Sequence, residues 1–382
     1  MACYLDNNAS TALDPRVLDA MQPYLGAVGG NASSLHRFGR LQRDAIEQAR
    51  AQVAALVGAQ PEQVIFTSGG TEANNLVLQG VMAATAGKAL AIGASEHMSV
   101  LQPAQALARQ GIELRVLPVD TDGQPLQSAF ADGISHCALV SVMLANNETG
   151  VISDVAALAK LASAQGVWLH SDATQAVGKI EVDFAALGVH ALTLSAHKIY
   201  GPMGVGALVI DRRLPIAPQQ FGGAQEKGLR AGTENVAAIA GFGMAAQLAQ
   251  QELAQRAVHT QALRDALEQR LRQCADAVVF AADAERLPNT LQFGVRGFDG
   301  ETLLMQLDRK GFAVSSGSAC TSGKTEPSHV LKAMQVDAAL ARSAIRVSFG
   351  VNNTMQDVEA FASALASITE MKTSAVMHAA HV

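Results

Sequence analysis

The chain has 382 residues, and 28 Lys and Arg against 34 Asp and Glu give it a formal net charge of −6. Such a length predicts two or three domains, with a core large enough to need no disulfide or structural metal. The mild acidity argues against nucleic acid as the main partner, because neutralising phosphates requires clustered basic residues. The sequence has no apolar run of about 18 residues that would span a membrane. Its first residues do not resemble a signal peptide, so we expect a cytoplasmic protein.

Short apolar runs alternate with Ala-rich segments of helical periodicity over the first two thirds of the chain. This alternation is typical of a mainly parallel sheet that is covered by helices on both faces. We therefore predict a large α/β domain at residues 15–250. Its predicted strands are 64–66, 89–92, 114–117, 138–144, 167–170, 191–194 and 206–210, and its predicted helices include 42–57, 99–110 and 155–165.

A second pattern begins near Thr233. Residues 237–273 are rich in Ala, Gln, Leu and Arg, which predicts one long helix. The apolar runs that follow are fewer and more widely spaced, so we predict a smaller α+β domain built from residues 1–14 and 251–382. Its predicted elements are strands 289–293, 312–315 and 345–349 and a helix 354–371, with residues 372–382 expected to fray.

Polar clusters follow several of the predicted strands, where ligands bind in open parallel sheets. The first cluster, residues 67–72, is a turn of small residues that opens a helix. Its backbone N–H groups suit a phosphate, although an ordinary turn is the alternative. His97, after the strand at 89–92, is either a ring that stacks on a planar cofactor and moves protons or an ordinary polar histidine.

Two further strand ends carry Asp172 and Lys198. The carboxylate is either a helix cap or the partner of a protonated heterocyclic nitrogen. The lysine is either a solvated surface charge or an amine that forms a Schiff base. The two lie 198 − 172 = 26 residues apart, one strand–helix crossover, so we expect them on neighbouring strands. A phosphate cradle, a carboxylate, a lysine and a ring together favour a pyridoxal phosphate site.

At these residues the sequence resembles the NifS/IscS class of cysteine desulfurases, which are fold-type I pyridoxal phosphate enzymes of the class-V aminotransferase family. The segments Ala-Asn-Asn-Glu-Thr-Gly at 145–150 and Arg-Ala-Gly-Thr-Glu-Asn at 230–235 resemble the NifS branch more closely. The resemblance runs from about residue 4 to about residue 349. Its matching stretches are 4–9, 33–36, 67–74, 145–150, 171–179, 195–202, 228–236, 287–290 and 315–330.

The resemblance implies a bound pyridoxal 5′-phosphate. Lys198 would carry it covalently, Asp172 would pair with the pyridine nitrogen, and Gln175 would bond the phenolic oxygen. Thr233 would reach the phosphate of a neighbouring subunit, which implies a homodimer with shared sites. The cofactor-binding residues implied in this way are Gly70, Thr71, Asn147, Asp172, Gln175, Ser195, His197, Lys198 and Thr233.

The resemblance also implies the reaction, which converts L-cysteine to L-alanine. Lys198, His97 and Cys320 would be catalytic, and Arg346 with Asn147 would bind the substrate carboxylate. From the residues alone, an interdomain salt bridge is an equal alternative for Arg346. Cys320 would take the sulfur as a persulfide for an acceptor such as an iron–sulfur scaffold protein, and it would be a transient iron–sulfur ligand.

The residues around Cys320 are small or polar, so residues 315–326 are expected to form a mobile loop. The residues themselves leave structural and reactive interpretations of this cysteine evenly balanced. Cys137, Cys274 and Cys3 are interpreted as packing residues. Since the four cysteines are scattered, a reducing compartment is expected.

The sequence departs from the family pattern at positions to which the resemblance gives no role in the site. A selenocysteine lyase or another class-V aminotransferase is the alternative on the same fold, and a non-catalytic regulator is a more distant one. The departures are Ala32, Ala196, Ala224 and Val351.

Overall fold

The computed structural model describes residues 3–26, 29–85, 88–316 and 327–379. The strands are β1 (Cys3–Tyr4), β2 (Val64–Thr67), β3 (Ala89–Gly93), β4 (Leu114–Leu117), β5 (Cys137–Ser141), β6 (Trp168–Asp172), β7 (Ala191–Ser195), β8 (Gly206–Ile210), β9 (Ala277–Val279), β10 (Thr290–Val295), β11 (Phe312–Ala313) and β12 (Ile345–Ser348). The helices are α1 (Pro15–Leu25), α2 (Arg37–Leu56), α3 (Gly70–Ala84), α4 (Met98–Arg109), α5 (Gln127–Gly133), α6 (Val155–Ala164), α7 (Phe184–Leu187), α8 (Val236–Arg272), α9 (Gly300–Arg309), α10 (His329–Ala333), α11 (Ala338–Arg342) and α12 (Met355–Ala379).

The predicted α/β sheet is present, with seven strands in the order β2-β8-β7-β6-β5-β3-β4. The pairs β7–β6, β6–β5, β5–β3 and β3–β4 are parallel. Strand β8 runs antiparallel to both of its neighbours. The sheet is therefore mainly parallel, as predicted, and β2 points in the same direction as the parallel strands.

Apolar side chains cover both faces of this sheet. Strands β2, β3, β5, β7 and β8 are buried at every residue, which explains why they form continuous apolar runs in the sequence. One face packs on a cluster that contains Val140, Leu192 and Phe242, and the other on a cluster that contains Leu90, Leu139 and Leu208. Alternate residues of the strands thus serve two cores, one on each side of the sheet.

The long helix predicted near residues 237–273 is α8, which spans 37 residues. It begins at Asn235, whose side-chain oxygen accepts a hydrogen bond from the backbone N–H of Ala238 at 3.2 Å. Its first half packs against α1 and α2 beside the large sheet, and its second half contributes Leu263 and Leu267 to a further core. One helix therefore connects the two halves of the chain.

The residues after α8 form a smaller antiparallel sheet in the order β12-β10-β9. The amino-terminal strand β1 pairs in parallel with β11, so residues at the start of the chain lie beside those near its end. Leu5, Phe293, Phe349 and Phe361 share the core of this part. These pairings support the prediction that residues 1–14 join the carboxy-terminal part of the chain.

Three local predictions are wrong. The helix α12 continues to Ala379 instead of fraying after residue 371, because the added residues include helix formers such as Ala, Met and Lys and contain no Gly or Pro. Strand β5 ends at Ser141, where its pairing with β3 stops and the N–H of Met143 bonds the carboxyl of Glu96 at 2.5 Å, although Val142 and Leu144 still donate to carbonyls of β6. Cys274 lies just after α8 and is only half-buried.

The other cysteine interpretations are closer to the structure. Cys137 is buried, and Cys3 is partly buried against the core that contains Leu5. Among the described helices, none has both the length and the apolar character needed to cross a membrane.

Candidate active site

The carboxyl ends of β2, β5, β6 and β7 surround a cavity of about 340 Å³, as the placement of the polar clusters predicts. Asp172 closes β6, and Ser195 closes the adjacent strand β7. We call this space the sheet-edge cavity. It is lined by Asn8, Ala9, Gly70, Thr71, His97, Ser99, Met143, Ala145, Asn147, Asp172, Thr174, Gln175, Ser195, His197, Lys198 and Arg346.

Lys198 ends a 3₁₀ turn, Ala196–Lys198, that follows β7 directly. Its Nζ donates to the backbone carbonyl of Asn8 at 2.6 Å and to that of Ala9 at 2.7 Å. The amine is therefore held by the amino-terminal segment of the chain and is half-buried rather than a solvated surface charge. Sequence reasoning assigned no role to these two carbonyls, because a backbone acceptor leaves no signature in residue type.

A hydrogen-bond chain links Asp172 to His97. The side-chain amide of Asn74 donates to Asp172 Oδ2 at 2.7 Å and to Ser99 Oγ at 2.8 Å. Ser99 Oγ in turn lies 2.7 Å from His97 Nδ1. Asp172 Oδ1 accepts from the backbone N–H of Thr174 at 3.0 Å, so no helix is capped by this carboxylate. The cap interpretation of Asp172 is excluded.

His97 is held as a neutral ring with a defined tautomer. Its Nδ1 accepts the backbone N–H of Ser99 at 3.1 Å, which caps α4 and places the single proton of a neutral ring on Nε2. Burial lowers the pKa of His97, which outweighs the opposing effect of the nearby Asp172 carboxylate. At neutral pH the ring can therefore accept a proton or give one up at a position bordering the sheet-edge cavity.

The amino terminus of α3 forms one end of the cavity. A Cβ at Gly70 would lie 3.1 Å from Thr174 Oγ1 and 3.7 Å from the Cβ of Ser195, so the glycine leaves the helix end open to a ligand. Thr174 Oγ1 is buried and has no hydrogen-bond partner within the described part of the chain. An anion with several oxygen acceptors satisfies both this hydroxyl and the free N–H groups of the helix terminus.

His197 borders the same end of the cavity. Its Nδ1 lies 3.3 Å from Ser10 Oγ. Burial, with a smaller contribution from the positive charge of Lys198, lowers the pKa of His197 to about 4. The ring is therefore neutral at physiological pH and takes part through hydrogen bonds rather than through charge.

The turn that leads into α3 requires a glycine on the opposing strand. A Cβ at Gly206, the first residue of β8, would lie 2.7 Å from the Cα of Gly69 and 2.7 Å from the carbonyl oxygen of Leu194. Only glycine permits this close approach. The first residue of the antiparallel strand β8 thus packs directly against the turn that precedes α3.

Arg346, on β12, lies at the opposite side of the cavity. Its Nη1 donates to the carbonyl of Asn147 at 2.9 Å, and its Nη2 forms an ion pair with Asp6 at 2.7 Å. Its Nε is buried and has no partner among the described residues. The salt bridge joins two residues of the predicted smaller domain, so it is not the interdomain bridge of the alternative interpretation, and the guanidinium borders the cavity with its Nε–H unpaired among the described residues.

Gln175 follows Asp172 on the loop after β6 and belongs to the cavity wall. Its Nε2 donates to the carbonyl of Asn8 at 3.0 Å, and its Oε1 accepts from Lys179 Nζ at 2.7 Å. The same Nζ donates to Asn8 Oδ1 at 2.9 Å. Burial holds the pKa of Lys179 well below its ordinary value, and the charges of Lys198 and Arg346 lower it further.

Two predicted site residues do not line the cavity in the described structure. Thr233 is exposed and is not among the residues that line the sheet-edge cavity. Cys320 and most of the predicted loop at 315–326 lie outside the described residues. Sequence reasoning assigned no role to Asn74, Ser99 or Thr174, whose types are too common for a pattern to single them out.

The residues present fit pyridoxal 5′-phosphate. Aminotransferases of class V and cysteine desulfurases in general use this cofactor. The open amino terminus of α3 and the unpaired Thr174 hydroxyl suit its phosphate. Asp172, with both oxygens already accepting hydrogen bonds, suits a protonated pyridine nitrogen, and Lys198 supplies an amine.

A larger cavity, of about 400 Å³, lies apart from these groups. It borders the buried ion pair of Arg50 with Glu226, whose atoms lie 2.7 Å apart. It contains no predicted site residue of the described chain, so we assign the chemistry to the sheet-edge cavity. In the described residues, no group of three or more His, Cys, Asp or Glu side chains is placed to hold a metal ion.

Fold and site together are those of an α/β enzyme whose sheet edge brings a lysine, a carboxylate and an open helix amino terminus to one cavity. The aminotransferase class-V profile matches residues 3–361, and the chain belongs to this family.

Two relatives with curated descriptions extend that family assignment. The cysteine desulfurase IscS of Dictyoglomus turgidum is 42% identical over 362 residues, which cover 93% of this chain and 91% of the relative. A cysteine desulfurase of Bradyrhizobium diazoefficiens is 41% identical over 375 residues, 97% of this chain and 95% of the relative. The similarity thus spans nearly the whole of each protein.

A solved structure gives the same result for the fold. A NifS-like protein from Rickettsia africae superposes with a TM-score of 0.88 at 34% identity, covering 97% of this chain and 100% of the other. The resemblance inferred from the sequence is therefore confirmed at the level of family and fold.

Proposed function

We propose that this chain is a cysteine desulfurase, which converts L-cysteine to L-alanine and transfers the sulfur to an acceptor protein as a persulfide. The observation that carries the proposal is the convergence of Lys198, Asp172, His97 and Arg346 on one cavity. The family and the names of the relatives support the same reaction.

The cofactor-binding residues we propose are those named from the resemblance. Gly70, Thr71, Ser195 and His197 would hold the phosphate, and the unpaired hydroxyl of Thr174 adds to them. When bound, pyridoxal 5′-phosphate supplies an electron sink that weakens the bonds at the substrate Cα.

The remaining groups would act on the substrate, two of them on its protons and two on its carboxylate. Lys198 Nζ, held by two carbonyl oxygens, is placed to accept a proton from the substrate Cα. His97 would move the proton of the substrate thiol, and Nε2 is the nitrogen that carries the proton of its neutral ring, because Nδ1 already accepts the N–H of Ser99. Arg346 would bind the substrate carboxylate together with Asn147, using the N–H group that has no partner among the described residues.

Cys320 would receive the sulfur. Its thiolate attacks the substrate sulfur, so that an S–S bond forms as the C–S bond breaks and the electron pair of the C–S bond passes to the substrate carbon. Protonation of that carbon yields the methyl group of alanine. One cysteine and one enzyme thiol thus give one alanine and one persulfide, and no outside oxidant or reductant is consumed.

We further propose a homodimer in which Thr233 of each subunit completes the phosphate site of the other. Its exposure and its absence from the lining of its own chain's cavity are what such a role requires. The acceptor would be an iron–sulfur scaffold or a related sulfur carrier, with Cys320 as a transient iron–sulfur ligand. A reducing, cytoplasmic setting would allow the thiol to cycle.

The test compares C320S with C274S, the matched control at a half-buried cysteine outside the cavity. C320S is expected to keep the yellow cofactor and to lose persulfide and alanine formation, while C274S keeps both. K198A is expected to lose the visible band of the lysine-bound cofactor. Alanine formation at the wild-type rate in C320S would show that the nucleophile is assigned wrongly.

The product distinguishes the alternatives on the same fold. An aminotransferase would release a keto acid in place of alanine and would not depend on Cys320. A selenocysteine lyase would act on selenocysteine in strong preference to cysteine. A purified protein with no visible absorbance after incubation with pyridoxal 5′-phosphate would favour a non-catalytic role.

A further inference from the structure

The side chain of Lys179 is half-buried beside the cavity, its amine is withdrawn from water, and the mechanism above gives it no role. Its Nζ bonds two neutral amide oxygens, Gln175 Oε1 at 2.7 Å and Asn8 Oδ1 at 2.9 Å. Both of its hydrogen-bond partners in the described structure are thus uncharged. A buried amine without a counter-ion is costly, so its presence calls for an explanation.

The Lys179 amine donates to both amide oxygens, and a charged ammonium has donors only. Each amide that it contacts must therefore present its oxygen. For Gln175 this places Oε1 at Lys179 and leaves Nε2, the donor, at the opposite end of the amide. That donor meets the carbonyl of Asn8, the same oxygen that accepts from Lys198 Nζ.

The donor end of Gln175 thus lies on the side of Lys198, where the reactive carbonyl of the cofactor would join the chain. In pyridoxal phosphate the phenolic oxygen is adjacent to that carbonyl. It becomes an anion when the lysine-bound form is deprotonated, and an N–H donor stabilises an anion whereas an amide oxygen repels it. Which end of Gln175 faces the cofactor therefore matters.

We propose that Lys179 is a positioning residue that fixes the amide of Gln175 with its N–H₂ group toward the cofactor. Asn8 supports this assignment. Its Oδ1 accepts from both Lys179 and Asn289, the latter at 3.0 Å, so its Nδ2 is directed to Thr290 Oγ1 and to the carbonyl of Asn147. One amine thus orients two amides, one at the proposed cofactor and one behind the proposed carboxylate site.

The inference rests on the proposed function only in requiring that the cofactor binds. The test is a pH titration of the visible absorbance of the holoenzyme, which needs no turnover. In K179M the oxygen of the Gln175 amide loses its donor, and only the bond from Nε2 to the carbonyl of Asn8 is left to orient the amide. The midpoint is expected to rise by up to about one pH unit, the effect of one lost hydrogen bond to a charged group. K160M, at an exposed lysine of α6, is expected to titrate like the wild type.

A double variant separates positioning from a general loss of packing. In the Q175A background, adding K179M is expected to cause no further shift, because the group that Lys179 orients is gone. K179Q retains an N–H donor and is expected to give a smaller shift, and it serves if K179M does not fold.

Three results would overturn the inference. An unchanged midpoint in yellow K179M or K179Q would do so without affecting the proposed function. If K179M shifts the midpoint as much in the Q175A background as in the wild type, Lys179 does not act through Gln175. A wild-type protein that never takes up the cofactor would overturn both proposals together.

Discussion

Burial moves three titratable side chains beside the sheet-edge cavity toward their neutral forms. It raises the pKa of Glu96 well above its ordinary value and lowers those of His97 and Lys179. The site therefore concentrates groups that carry less charge than their residue types suggest. Such groups exchange protons or donate hydrogen bonds without the cost of holding an unpaired charge.

Glu96 yields a prediction about stability. Its Oε1 accepts the N–H of Met143, while burial and, to a lesser degree, the charge of Asp172 raise its pKa. The folded chain thus binds this proton more tightly than the unfolded chain. The contribution of Glu96 to the free energy of unfolding is fully present below the pKa of about 4.3 that the carboxyl has in the unfolded chain. It is lost as the pH rises toward the pKa of Glu96 in the folded chain.

We therefore expect E96Q, which mimics the protonated carboxyl, to lose this pH dependence. The free energy of unfolding, measured by urea denaturation, should fall less between about pH 5 and about pH 8 in E96Q than in the wild type. E113Q, at an exposed glutamate after α4, serves as the control and should follow the wild type. A parallel decline in wild type and E96Q would contradict the assignment.

The residue scale is also where sequence reasoning was least complete. Lys198, Asp172, His97 and Arg346 were predicted because their types carry chemistry, and the structure places all four at one cavity. Asn8 acts on Lys198 through a backbone carbonyl, which every residue has. The role of Lys179 depends on which oxygens surround its amine, and that arrangement exists only in the folded chain.

At the scale of elements, most strands of the large sheet could be predicted because they are buried on both faces and so form continuous apolar runs, whereas the edge strand β4 is partly exposed. The direction of each strand could not be predicted, because parallel and antiparallel buried strands both form apolar runs. Strand β8 is antiparallel to its neighbours. The end of β5 depends on a hydrogen bond to Glu96, 47 residues away in sequence.

The short helix α10 illustrates how an element is joined to the site. Ser328 caps it by accepting the N–H groups of Val330 and Leu331, and it donates to Glu148 Oε2 at 2.5 Å. Glu148 is buried and adjacent to Asn147, and burial raises its pKa. The hydroxyl thus links a helix terminus to the segment that holds the proposed substrate site.

We expect S328A to lower the free energy of unfolding by about 2 kcal/mol, since it removes a cap and leaves a buried carboxyl less well satisfied. S163A, at an exposed position of α6, is the matched control and should change it by less than about 0.5 kcal/mol. Chemical denaturation of the two variants measures the difference. If S328A and S163A have the same free energy of unfolding, the hydrogen bonds of Ser328 do not stabilise the fold.

At the scale of the whole molecule, the chain closes on itself around the cavity. Asn8, near the amino terminus, bonds Thr290 of β10, and Asp6 pairs with Arg346 of β12. The same segment supplies the carbonyls that hold Lys198 after β7. The cavity thus forms only when the first ten residues, the large sheet and the carboxy-terminal sheet are all in place.

Thr233 makes the proposed dimer testable at this scale. If it serves the partner's cavity, K198A and T233A fall in the same site of a mixed dimer, and the other site of that dimer retains both residues. Random reassociation makes half of the dimers mixed, so cysteine desulfurase activity should return to about a quarter of the wild-type value. K198A mixed with H97A is the control, because both residues line the cavity of one chain and no intact site can form. Full activity in T233A alone would place Thr233 outside the catalytic site, and an inactive T233A with no recovery on mixing would show that Thr233 does not act across the dimer.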